Sequence, residues 1–182
     1  NVVNALRLSC DVYFYQAGLE IDMERINEFG RRFGLGEEVL GIDIPGERRG
    51  WLPDSASFNK RNKRSGWRWA RGLILNLSIG QGQLVTPLQQ AVLVGSLATN
   101  AGVYKPHLMK ELRDRSGKVI KKFEPEIIRS GQMKESTHKV ILAGLDSVVN
   151  HPGGTGKRGA VKGIRVGGKT GSGEWKKGEK TH

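Results

Sequence analysis

Apolar residues recur at three- and four-residue spacing in separate stretches, and these mark out the helices first. Val2, Val3, Leu6 and Leu8 describe the end of a helix whose exit carries Ser9-Cys10-Asp11, and residues 12–15 resume an apolar, aromatic run. Serine and aspartate at such a junction act as helix caps. Asp22 stands at the head of a further helix, with Met23, Ile26, Phe29 or Gly30, and Phe33 on one face and Gly34 at its stop. That is the pattern of an amphipathic helix packed on a core. Residues 36–54 carry Gly36, Gly41, Pro45, Gly46, Gly50 and Pro53, with Ile42 and Ile44 alternating around Asp43, so a loop with a short extended piece is predicted.

Residues 73–79 are apolar and lead to Ser78-Ile79-Gly80-Gln81-Gly82. Thr86-Pro87 then supplies a hydroxyl N-cap followed by proline at the first helical position, which predicts a helix over 87–99. Its residues are apolar nearly all round, so it is expected to be buried in the middle of the domain. Residues 108–112 and 119–123 flank the polar turn Asp114-Arg115-Ser116-Gly117 as a hairpin. Ile141, Leu145, Val148 and Val149 mark one face of a last helix over 134–150, followed by the loop Gly153-Gly154-Thr155-Gly156. Val161, Ile164 and Val166 then read as a strand running into Lys169. No repeat is visible at solenoid periods, and the order of elements fits an α+β fold better than successive βαβ units.

The densest chemistry lies at the end of that strand, in Gly167-Gly168-Lys169-Thr170-Gly171-Ser172-Gly173. Glycine inside a strand lets another chain come close to the backbone, and an ammonium with two hydroxyls there can face an anionic ligand. A plain Gly/Lys turn near a chain end is the competing reading. A phosphate loop is disfavoured: Gly163 and Gly168 bracket four residues, but nothing helical follows Lys169-Thr170.

Composition narrows the classes. With 182 residues and 37% hydrophobic content the chain can form one domain with a sizeable core, and 26 glycines with six prolines make it loop-rich. No apolar run approaches the roughly 20 residues that cross a bilayer, and no signal-like segment opens the chain. It begins without methionine and stops after a charged run, so both ends read as cut. A single cysteine, Cys10, excludes an internal disulfide. The net charge of +12 is uneven: residues 1–54 hold six basic and ten acidic side chains, and the remainder holds 24 against 8. An anionic partner is expected for the later part, whether nucleic acid, anionic membrane or a carboxylate-bearing substrate. The most basic stretch, residues 60–71, interleaves six cations with Trp67 and Trp69. It shows no helical or strand periodicity and reads as a solvated or lipid-facing loop ahead of a nucleic-acid site.

Taken in order, Ser9-Cys10-Asp11 at a helix end, Ser78-Ile79-Gly80-Gln81-Gly82 running into Thr86-Pro87-Leu88-Gln89-Gln90-Ala91, and Lys169-Thr170-Gly171-Ser172 resemble the penicillin-binding transpeptidase domain. That family uses a nucleophile motif Ser-x-x-Lys, a second motif Ser-x-Asn and a third motif Lys-Thr-Gly. The Gly-Gln-Gly and Thr-Pro-Leu-Gln stretch, with Ala98-Thr99-Asn100-Ala101-Gly102 after it, looks like the class B branch. Aspartate at position 11, where that branch usually has asparagine, and the residues after it look most like the elongation-type enzymes. The resemblance covers nearly the whole chain, with Gly154-Thr155-Gly156 just ahead of the third motif.

The resemblance implies a serine β-lactamase/transpeptidase-like α+β fold, an antiparallel sheet flanked by helices and incomplete at both ends, with residues 1–182 the internal part of one domain. Ser-x-x-Lys has no place ahead of Ser9, so the piece alone is expected to be inactive, and with no sequence for the strands and terminal helix that follow the third motif its core is expected to be incomplete. The implied catalytic residues are Ser9, relaying a proton toward the leaving amine, Asp11, hydrogen-bonding around it, and Lys169, bringing positive charge. Thr170, Gly171 and Ser172 are the implied substrate-binding residues, with the Ser172 N–H as half of an oxyanion hole. No cofactor is implied. The implied partners are peptidoglycan stem peptides ending in D-alanyl-D-alanine, β-lactams and a membrane glycosyltransferase of the wall-elongation machinery, and nucleic acid is not expected. The implied location is the bacterial inner membrane, catalytic domain outward, the anchor lying outside this chain. A catalytically silent β-lactam sensor or wall-complex partner of the same fold, and a basic nucleic-acid-binding module, stand as alternatives. Cys10 reads as a small buried residue, with metal ligation a lesser reading, and the four histidines read as surface residues.

Overall fold

The computed structural model describes residues 1–176 and 179–181. They form an α+β chain that divides into two compact units, one of residues 1–26, 55–82 and 133–182, the other of residues 27–54 and 83–132.

In the first unit, α1 (Val2–Leu8) starts at Asn1, whose side-chain oxygen accepts the Asn4 N–H at 3.0 Å. It stops at Ser9 in the left-handed region (φ 51°, ψ 53°), with Ser9 N–H donating to the Leu6 carbonyl and Cys10 N–H to that of Ala5. These two bonds make a Schellman stop, with serine where glycine is usual. The chain turns at once into α2 (Asp11–Ile21), so the serine-aspartate junction is a helix boundary as the pattern predicts. α2 packs on α5 (Leu73–Ser78) at Gly18, where a Cβ would stand 2.5 Å from that of Ser78. Only glycine permits that crossing, and it carries the end of α5 up to the α1–α2 junction. The predicted last helix is α7 (Glu135–Asn150), which packs on α1 and buries Val148 and Val149.

Two expectations for this unit are corrected. The basic stretch is partly helical: α4 (Ser55–Arg61) is followed by a 3-10 turn, Lys63–Ser65. Side-chain bonds rather than apolar periodicity hold it, from Asn62 Nδ2 to the Phe58 carbonyl and from Ser65 Oγ to that of Asn62. Trp69 lies edge-on to Phe58 at 5.5 Å and donates its backbone N–H to Asn59 Oδ1, whereas Trp67 is exposed. The strand predicted at 161–166 is instead a tight turn in which Val161 and Ile164 pair with each other around Gly163 (φ 79°). Both side chains are exposed, so β-branching there does not report burial. Residues 165–172 continue without a ladder partner among the described residues, and β5 (Gly173–Lys176) pairs with β6 (Glu179–Thr181) only after them.

Next in the chain, α3 (Met23–Arg32) follows prediction at both ends: Asp22 Oδ1 accepts the Arg25 N–H at 3.0 Å, and Gly34 takes φ 84°. Phe33 is buried, while Phe29 is exposed. In the second unit, loop 36–54 is organised by carboxylates rather than by a strand. Glu47 accepts the N–H groups of Leu40, Gly41 and Ile42, Glu37 accepts that of Leu52, and Asp43 accepts those of Leu108 and Met109. Those bonds hold the Asp43 carboxyl below the usual range. The predicted hairpin is β2 (Glu111–Arg113) with β3 (Val119–Lys122), its turn closed on Asp114. β1 (Val103–Tyr104) pairs with β4 (Ile127–Arg129), a pair the sequence pattern did not mark.

α6 (Pro87–Thr99) begins where predicted, with a reciprocal cap: Thr86 Oγ1 accepts the Gln89 N–H at 3.1 Å and Gln89 Oε1 accepts the Thr86 N–H at 3.2 Å. The expectation that it is buried in the middle of the domain is not met. Val94 is 60% exposed, and the fully covered positions are the polar Gln89 and Ser96. Gln89 goes inside because its Nε2 donates to the Gly36 and Glu38 carbonyls, and Ser96 because its Oγ donates to Val92, so neither is left unsatisfied. Thr86→Ala is expected to cost about 1 kcal/mol, read as a lower urea midpoint at unchanged slope.

Candidate active site

The left-handed exit of α1 presents the Ser9 hydroxyl to the segment that carries Lys169. Lys169 Nζ donates to Ser9 Oγ at 2.6 Å and to the Thr170 carbonyl at 2.8 Å. Ser9 Oγ lies 3.2 Å from Thr170 Oγ1, and both lie near Thr155 Oγ1, at 3.4 and 3.1 Å respectively. What brings Lys169 here is α7: Asn150 Nδ2 donates to the Val166 carbonyl at 2.8 Å and Gly168 N–H to that of Leu145 at 3.1 Å. Arg165 also grips Asp146 through two bonds, at 2.6 and 2.9 Å. That pairing holds the Asp146 carboxyl below its ordinary value and raises the Arg165 guanidinium.

These groups open on a cavity of about 390 Å³. Ser9, Asp11 and Phe14 form one wall, and Ser78, Ile79 and Gln81 a second. Lys169, Thr170, Gly171 and Ser172 form the third. The structure therefore brings together all six residues singled out from the sequence, although 160 positions separate Ser9 from Lys169. Gly171 has no neighbour within 4 Å of where a Cβ would stand, so the wall at that point is bare backbone. Loss of solvation pushes the Lys169 ammonium below the usual lysine value, and the Asp11 carboxylate acts in the opposite direction. Such an arrangement can bind a carboxylate beside a lysine and two hydroxyls, and can pass a proton through Ser9.

The family model for the penicillin-binding protein transpeptidase domain matches residues 1–182. The chain belongs to that family. Among curated relatives, this transpeptidase-family chain is 33% identical over 172 residues to the peptidoglycan D,D-transpeptidase MrdA of Haemophilus influenzae, a match taking in 92% of the chain and 25% of that protein. It is 32% identical over 164 residues to stage V sporulation protein D of Bacillus subtilis, across 90% of the chain and 23% of the relative. Its structure resembles penicillin-binding protein PBP2 of Helicobacter pylori with a TM-score of 0.74 at 30% identity, covering 96% of this chain and 31% of that one. The chain thus spans about a quarter of the length of the curated relatives it matches. These comparisons agree with the class B, elongation-type resemblance of the motifs.

Other residues around this cavity are less legible in the sequence. In the sequence Thr155 is only part of a Gly-Thr-Gly loop, yet its hydroxyl joins the Ser9 cluster; the signal is a hydroxyl between two glycines just ahead of the lysine segment. The Ser78 turn forms a wall as the exit of α5, and the Ser78 hydroxyl donates to the Leu75 carbonyl at 2.7 Å. Cys10 was expected buried; it is half-buried, because it sits at the first position before α2. No group of three metal-ligating side chains occurs among the described residues. His107 is exposed, His138 is half-buried, and His182 lies outside the described residues. The exposed His151 ring is not idle: its Nδ1 accepts the Gly153 N–H at 2.9 Å, and Arg7 Nη1 lies within 3.0 Å of it.

Proposed function

We propose that these residues are the internal part of one transpeptidase domain, in a peptidoglycan D,D-transpeptidase that cross-links stem peptides and is acylated by penicillins. The observation that carries this reading is the 2.6 Å bond from Lys169 to Ser9, made beside Thr170 on an open cavity. In this reading the serine of a Ser-x-x-Lys motif elsewhere in the protein attacks the D-alanyl-D-alanine carbonyl, and an ester forms as the terminal D-alanine leaves with a proton. Ser9 accepts one proton on Oγ and passes its own to the leaving amine, so it remains a hydroxyl throughout. Lys169 holds Ser9 Oγ in place and draws the substrate carboxylate, and Thr170 hydrogen-bonds that carboxylate. Gly171 leaves room for an extended peptide, and the Ser172 N–H serves as half of the oxyanion hole. Asp11 accepts from the substrate amide; its carboxylate cannot donate as the usual asparagine would.

We place the whole protein at the inner membrane with this domain outward, working with a membrane glycosyltransferase. Two similarities support such a setting. Helicobacter pylori PBP2, 31% identical at a TM-score of 0.75, has been solved in complex with MreC. A chain 29% identical at a TM-score of 0.71 belongs to a peptidoglycan synthase complex described as coordinating polymerization and crosslinking.

The test is to incubate the full-length protein with a fluorescent penicillin and map the modified peptide. An adduct on a serine of a Ser-x-x-Lys motif supports the reading; a folded, unlabelled full-length protein would point to a silent wall-complex partner instead. Rate against pH gives a second check. The cation is the working form of Lys169, its pKa lies below the ordinary 10.5, and charge is lost as pH rises through it. Acylation is therefore expected to fall on the alkaline side, with a midpoint below 10.5.

A further inference from the structure

Thr155 is the member of the hydroxyl cluster that also reaches the backbone of α1. Its Oγ1 lies 3.1 Å from the Arg7 carbonyl, to which it can donate. It also lies 3.1 Å from Thr170 Oγ1 and 3.4 Å from Ser9 Oγ, contacts in which either hydroxyl can donate. One side chain therefore links the Thr170 oxygen and the Ser9 oxygen, the latter also held by Lys169, to the carbonyl at the end of α1.

The hydroxyl is not needed merely to cap α1. The Arg7 carbonyl also receives the Thr155 backbone N–H at 3.2 Å, and the loop is further anchored by Gly154 N–H to His151 and Gly156 N–H to Val148. Three backbone bonds survive the loss of the side chain, so removing the hydroxyl leaves the loop seated and takes away only its grip on Thr170 and Ser9.

We propose that Thr155 is a positioning residue of this site: it ties the Thr170 and Ser9 oxygens to the end of α1, setting where both meet the substrate without touching it. This rests on the transpeptidase reading above. The experiment measures the second-order rate of acylation of the full-length protein by a fluorescent penicillin, with melting temperature alongside. Thr155→Val is expected to slow acylation roughly five- to tenfold, about the worth of one hydrogen bond, and Thr155→Ser to restore it to within about twofold. In a Thr170→Val background, Thr155→Val should add little further loss, because its effect runs through the missing hydroxyl. Thr155→Ala repeats the test without the added methyl, should the valine variant not fold. Equal slowing in both backgrounds, a wild-type rate in the valine or alanine variant, or failure of serine to rescue overturns the proposal. An unlabelled wild-type protein overturns the transpeptidase reading and this inference with it, whereas labelled wild type with unaffected variants overturns this inference alone.

Discussion

Lys169→Ala in the full-length protein is expected to slow acylation by penicillin by roughly 10²–10⁴-fold, the range for a lost proton-transfer or charge-stabilising group. The side chain supplies the donor to Ser9 Oγ and is the cation among the described residues lining the cavity. Without it, Asp11 faces an incoming carboxylate with no opposing charge on those walls. The melting temperature should change little, because the bond is solvent-exposed and the ammonium is held at a desolvation cost. Stopped-flow labelling beside thermal unfolding separates the two effects. A variant that acylates at the wild-type rate would remove Lys169 from the mechanism.

Gly154→Ala is expected to have the largest effect on stability. A Cβ there would be driven into the Val148 carbonyl oxygen and would stand 2.6 Å from that of Ser147. Both are backbone atoms at the end of α7 and cannot swing aside as a side chain would. Overpacking of this kind costs about 3 kcal/mol, and for a chain of this size that lowers the melting temperature by roughly 6–12 °C. The displaced loop also carries Thr155 away from Ser9, so acylation should slow even below the new transition. Calorimetry and labelling at one low temperature measure the two losses separately, and an unchanged melting temperature would show that the loop yields instead of α7.

Helix boundaries were the most legible part of the chain, because local chemistry decides them. Thr86, Pro87 and Gln89 make a cap within four residues, and Asp22 and Gly34 bracket α3 by the same short-range rules. What covers a helix is decided at a distance. α6 is apolar on most sides, and the identity of its inner face rests on carbonyls of the 36–38 stretch that meet Gln89. The turn at Val161 and Ile164 shows the same limit for strands: alternating β-branched residues make a ladder only where another strand supplies partners. Ser9 and Lys169 could not be joined by spacing at all, and it was the order of three weak motifs that brought them together. Thr155 escaped because a threonine in a glycine loop has no periodicity, and its role comes from the carbonyl of Arg7, far away in sequence.

The conformation of Ser9 sets stability against use. A left-handed serine costs about 1–2 kcal/mol over glycine, and the Schellman stop at that position favours glycine. A glycine there would make a steadier helix end and a site with no hydroxyl. Ser9→Gly is therefore expected to steady the turn while removing the hydroxyl that Lys169 meets, so folding and the site pull on one position in opposite directions.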